Sequence, residues 1–123
     1  MLKPQQRDTL RAAMNHRLAD LRVLIADETA TQESERASQR GGDVGDFGDE
    51  AVGADLVRTE VALVALHQGE QREIEAALGR LDSDHYGVCV DCADPIEFER
   101  LQANPTVNRC GSCQQVHEAA ARR

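Results

Sequence analysis

The chain has 123 residues, a length that suits one small domain, and carries 22 acidic against 14 basic side chains for a formal net charge of −8. Its aromatic residues are Phe47, Phe98 and Tyr86, with no Trp. That is too little for a large globular core, and the negative charge argues against non-specific binding to a phosphate backbone. The longest apolar run, Val61-Ala62-Leu63-Val64-Ala65-Leu66, falls far short of the ~20 residues of a membrane helix. No secretory apolar region follows Met1-Leu2-Lys3-Pro4, so a cytoplasmic protein with reduced thiols is expected.

From about Pro4 to Arg40 the chain contains no internal Gly or Pro. Met14, Leu18, Leu21 and Ile25 recur at alternating steps of four and three, the a/d seam of a coiled coil. The same register continues through Glu28, Gln32, Glu35 and Gln39, so the seam turns polar toward its far end. A helix of about 35 residues is about 50 Å long, too long to be buried in so small a domain without a partner helix. Gly41-Gly42-Asp43-Val44-Gly45-Asp46-Phe47-Gly48 then predicts a turn.

Helical pattern resumes near Asp49 and runs to about Leu81, with Leu56, Leu63, Ile74, Ala77 and Leu81 on its apolar stripe and Val57, Val61 and Val64 widening it. Two helices of similar length joined by a short turn predict an antiparallel hairpin. Residues 1–82 form that coiled-coil hairpin, with an acidic tip near 41–51. Residues 83–123 form a small lobe. There, Asp82-Ser83-Asp84-His85-Tyr86-Gly87 predicts a turn, Ala93 to Arg109 with Pro95 and Pro105 predicts loop and short strand, and Ser112 caps a last helix from Cys113 toward Arg123. The fold class is mainly α.

The lobe carries all four cysteines, as Cys89-x-x-Cys92 and Cys110-x-x-Cys113 with seventeen residues between. Each pair can turn two thiolates toward one point, and two pairs complete a tetrahedral sulfur shell that suits one structural Zn²⁺. Two disulfides or unpaired core thiols are the alternatives, and a disulfide framework belongs to secreted chains. His85 and His117 flank the set, yet four cysteines already fill the shell. His16 and His67 lie on helical pattern as surface or seam residues. A closed Cys₄ site leaves no open position for a substrate, and neither a nucleophile–base set nor a phosphate loop is present; an enzyme is not expected.

Similar cysteine spacings occur in DNA-reading fingers, and charge separates the two uses. From Tyr86 to Gln115 the acidic residues are Asp91, Asp94, Glu97 and Glu99, against Arg100 and Arg109 alone. A DNA-reading finger needs cations for phosphates and base edges. At the tip, Asp46 or Asp49 taken singly is as well explained by helix capping. Taken together, carboxylates on a turn at the end of a long hairpin can be carried into a narrow channel, to meet basic side chains or a Mg²⁺-holding site.

Three stretches carry a resemblance: Asp46-x-x-Asp49-x-Ala51 at the tip, Asp84-His85-Tyr86-Gly87-Val88-Cys89-Val90-Asp91-Cys92, and Ile96-Glu97-Phe98-Glu99-Arg100-Leu101-Gln102-Ala103-Asn104-Pro105-Thr106, followed by Cys110 and Cys113. With these the chain resembles the DksA/TraR family of RNA-polymerase-binding transcription factors, closely from about Asp46 onward and only in pattern over the first helix. The resemblance implies a hairpin that enters the polymerase secondary channel. Asp46, Asp49 and Ala51 then match the functional tip, and Cys89, Cys92, Cys110 and Cys113 match the zinc ligands. It also implies altered promoter-complex stability, with ribosomal RNA promoters inhibited and some amino-acid biosynthesis promoters activated.

The chain departs from the family in two respects. It is shorter at its N-terminus than the longer members. Basic positions by which some members help bind the alarmone ppGpp stand here as Glu73, Asn104 and Gln114, which offer a polyphosphate no charge-assisted contact, so little direct dependence on ppGpp is expected. RNA polymerase is the expected partner of a monomer that reads no DNA sequence itself and meets no membrane. Two rival readings are a zinc-pinned coiled-coil interaction module and, less favoured by charge, a DNA-binding finger.

Overall fold

The structure is a computed structural model that describes the backbone of residues 2–41 and 47–122, with side chains except at 35, 38–41 and 47–57. Four helices follow in order: α1 (Pro4–Gly41), α2 (Phe47–Asp82), α3 (Phe98–Ala103) and α4 (Gly111–Ala121). The class is the expected one: mainly α, with a hairpin of two long helices, a cysteine-bearing lobe and a C-terminal helix. Two compact units divide the chain, Met1–Leu18 with Glu73–Arg123, and Ala19–Arg72.

In the first unit α1 starts where its sequence provides a cap. Pro4 takes the first helical position, where a missing N–H costs nothing, and the Lys3 amide donates to Gln6 Oε1 at 2.9 Å, half of a capping box. Leu10, Met14 and Leu18 from α1 are buried with Ile74, Ala77 and Leu81 from α2. The Arg7 guanidinium donates to the Leu81 carbonyl and pairs with Asp84 at 3.0 Å, while Arg11 reaches Asp82 at 2.5 Å. α2 stops because Asp84 adopts φ 62° and lets the His85 amide close on the Arg80 carbonyl at 3.0 Å. This is a Schellman-type end with Asp in the place Gly usually holds.

The second unit contains the polar part of the seam. Leu21 is fully buried, and Ile25, Glu28 and Gln32 are half-buried while their neighbours are exposed, as the four-three register predicts; Glu35 and Gln39 lie outside the described side chains. On α2 the seam runs through Glu60, Val64, His67 and Gln71. Two positions read as part of the apolar stripe face outward: Leu63 is 43% and Val61 46% exposed. In an unbroken apolar run only one helical face can meet the partner, and here Val64 does so; Leu56 and Val57 lie outside the described side chains.

The lobe differs from expectation in two elements. Residues 93–109 contain the helix α3 and no strand, with one isolated antiparallel bridge between Val88 and Pro95. The last helix begins at Gly111, capped by the Cys110 sulfur and not by Ser112. A C-x-x-C turn already aims its first sulfur at the amide three residues on, so the knuckle itself starts the helix.

Candidate metal centre and hairpin tip

The four cysteine sulfurs lie within 4.8 Å of one another, and among the described residues no other group of His, Cys, Asp and Glu converges in this way. All four thiols are free, and Cys92 Sγ sits 3.8 Å from Cys110 Sγ, far beyond a disulfide bond. A zinc ion bonded to four sulfurs at about 2.3 Å sets them about 3.8 Å apart at tetrahedral angles. The donor set, number and spacing therefore suit one Zn²⁺. His85 and His117 are not in the group; His85 Nδ1 lies 2.7 Å from the Ser83 carbonyl.

Local backbone geometry aims the sulfurs. The Cys89 amide donates to the Asp94 carbonyl at 2.9 Å and the Ala93 amide to the Cys89 carbonyl at 3.0 Å, closing a turn in which Ala93 holds φ 65°. In the second knuckle the Cys113 amide donates to Cys110 Sγ at 3.5 Å. Backbone donors, led by that of Cys110, lower the Cys89 thiol to about 6 against the effect of its burial. Cys113 is pushed strongly upward, first by Cys110 and then by Cys89 and Cys92. Sulfurs this close cannot all ionise without a cation between them.

Contacts from outside the knuckles fix their relative position. Val90 donates through its amide to the Asn108 carbonyl at 2.9 Å, and Arg109 Nε donates to Asp91 Oδ2 at 2.8 Å, joining the two knuckle loops. Arg100 Nε donates to the Arg109 carbonyl at 3.0 Å. The two cations of the finger are thus engaged within the lobe. Tyr86 is buried, its hydroxyl donating to the Pro105 carbonyl at 2.7 Å, and burial pushes its phenol up to about 12 despite the nearby Arg80 charge. Gly87 holds φ 82° with Leu2 packed against it: an added Cβ would meet Leu2 Cδ1 at 3.1 Å.

Asp46 lies outside the described residues. The side chains of Asp49 and Ala51, on the first turns of α2, lie outside them as well. Glu73, Asn104 and Gln114 line one cleft of the first unit, together with Asp94 and Glu97. The sequence reading missed the internal work of Arg100, Arg109 and Tyr86. The signal available was an acidic finger holding two arginines with no external anion to justify them.

Residues 85–119 match the model of the prokaryotic DksA/TraR C4-type zinc finger family. The chain is 40% identical over 47 residues to the RNA polymerase-binding transcription factor DksA of Haemophilus influenzae, a stretch that is 38% of this chain and 32% of that relative. It therefore spans about a third of the length of the curated relative it matches. Among solved structures it is similar to transcription factor DksA2 from Pseudomonas aeruginosa, with a TM-score of 0.84 and 24% identity over 98% of this chain and 89% of that one; this likeness shows the fold.

Proposed function

We propose that this chain, whose residues 85–119 match the DksA/TraR C4-type zinc finger, is a member of that family and regulates transcription by binding RNA polymerase directly in the cytoplasm. The observation that carries the reading is the pairing of a finger that matches the DksA/TraR C4-type model with two long helices that precede it. The finger's arginines are occupied internally, which leaves it without the free cations that DNA readout needs.

In this account the zinc lobe and the base of the hairpin dock on polymerase and set the angle of insertion. Asp46, Asp49 and Ala51 then reach through the secondary channel toward the catalytic centre. Carboxylates there compete for basic side chains or for the Mg²⁺ environment and change the lifetime of promoter complexes, inhibiting ribosomal RNA promoters and activating some biosynthetic ones. The protein acts as a monomer, because α1 and α2 bury each other's seam residues. It acts with little direct help from ppGpp, because Glu73, Asn104 and Gln114 supply no cation to a cleft whose carboxylates outnumber its two arginines, Arg80 and Arg100, a poor environment for a polyphosphate.

Binding of the labelled full chain to core polymerase, followed by fluorescence anisotropy, tests the first step. Saturable binding is expected. Absence of binding would favour a zinc-pinned coiled-coil module with another partner.

A further inference from the structure

The cleft that holds Glu73, Asn104 and Gln114 lies wholly within the first unit, between the end of α2, the loop before α3, and α4. Its volume is about 1130 Å³, above the usual range of small-molecule pockets and ample for a chain segment with its side chains. Ala76, Ala103 and Val107 supply an apolar lining. Glu118 on α4, which accepts from Gln114 Nε2 at 3.1 Å, lines it, and three further carboxylates from three other elements stand around it: Glu73 on α2, Asp94 after the first knuckle, and Glu97 at the N-cap of α3.

Those three further carboxylates are not used internally. Glu97 occupies the N-cap position without making a side-chain cap, and Glu73, Asp94 and Glu97 have no side-chain hydrogen-bond or ion-pair partner among the described residues. The two cations that line the cleft, Arg80 and Arg100, donate to the backbone carbonyls of Thr106 at 3.4 Å and Arg109 at 3.0 Å and not to these carboxylates. Nor do the carboxylates converge on a point as a metal site requires, since the cysteines are the one such group among the described residues. Anionic points spread around an apolar lining fit a long amphipathic cation, whose stem covers the lining while its head reaches a carboxylate.

We propose that this cleft is a docking groove for a basic peptide segment of the protein partner, holding one or more Arg or Lys side chains against Glu73, Asp94 and Glu97. The partner being RNA polymerase rests on the reading above; the chemistry of the groove does not.

The test uses the full chain in two arms. In the first, E73Q/D94N/E97Q is compared with D8N/E33Q/E75Q, an equal charge change away from the cleft, for binding to core polymerase over a range of salt. Removing three partly exposed ion pairs should weaken binding roughly tenfold and flatten its salt dependence, with little change in the control variant. Equal binding by the two variants would overturn the proposal. In the second arm an arginine hexapeptide is titrated while backbone amide resonances are followed. Shifts concentrated at Asn104, Val107 and Asn108, lost in the cleft variant and kept in the control, are expected. Shifts elsewhere, or ones that survive in the cleft variant, would overturn the proposal. If wild type binds no polymerase yet the peptide result holds, the polymerase reading fails and the groove stands.

Discussion

The Tyr86 hydroxyl donates to the Pro105 carbonyl at 2.7 Å, joining the approach to the first knuckle to the loop that leads to the second. The bond requires the neutral phenol, and burial raises the folded-state value from 10.0 to about 12. A raised value gives stability that is complete below pH 10 and lost as pH climbs through about 12. The contribution is about 3 kcal/mol. Tyr86 is the only tyrosine and the chain has no Trp, so phenolate absorbance reads this one group. Titration of the native protein should be delayed toward pH 12, and Tyr86→Phe should abolish the alkaline step in stability. A midpoint near 10 before unfolding would contradict the buried bond.

Ala93 holds φ 65° between the first knuckle and Asp94, a region where a Cβ costs roughly 1 kcal/mol or more. Ala93→Gly removes that strain at the expense of some unfolded-state entropy. A net gain of about 0.5–1 kcal/mol is expected, measured as a higher midpoint of thermal unfolding with metal present. A loss of stability would show that the positive φ is not a source of strain.

Metal analysis should find one zinc per chain. Its removal by a strong chelator should expose four thiols to a colorimetric thiol reagent. Because the ligands are thiolates, affinity should fall as pH is lowered. Hydrogen exchange should then lose protection in residues 85–119, while amides near Leu21 and Val64, in the other unit, keep theirs. Uniform loss along the chain would contradict a local structural role for the site.

Glu28 and His67 approach to 2.8 Å across the seam with side chains 22% and 18% exposed. Replacing a half-buried polar pair with apolar residues is often neutral or stabilising, whereas breaking one partner leaves the other unsatisfied. His67→Leu alone should lower stability by about 1 kcal/mol, and Glu28→Leu/His67→Leu should recover at least that much. Denaturant unfolding of both variants gives the comparison. Additive losses would mean that the two side chains do not act as a pair.

The seam of α1 was legible because its step of four and three is unbroken and its two halves differ only in polarity. On α2 the apolar run from Val61 to Leu66 hid the register. Six consecutive apolar residues satisfy every helical face, and the partner helix selects Val64. The convergence of the four cysteines was legible from spacing alone, since two C-x-x-C pairs bring four sulfurs to one point. The cap of α4 was not, because a cysteine sulfur replaced the expected Ser112 oxygen. The lobe's ties, Tyr86 to Pro105 and Arg109 to Asp91, join residues 18 or more positions apart, and no periodicity marks such pairs.

The central claim is that the tip carboxylates act on transcription after the protein has docked. In vitro transcription from a ribosomal RNA promoter with the host polymerase tests it, comparing wild type with Asp46→Asn/Asp49→Asn, each with and without ppGpp. The account predicts that wild type lowers transcript yield to a similar extent with and without ppGpp on a polymerase lacking any other ppGpp site. It predicts that the double variant binds polymerase as tightly and leaves yield unchanged. Full inhibition by the double variant, or inhibition by wild type only when ppGpp is present, would contradict it.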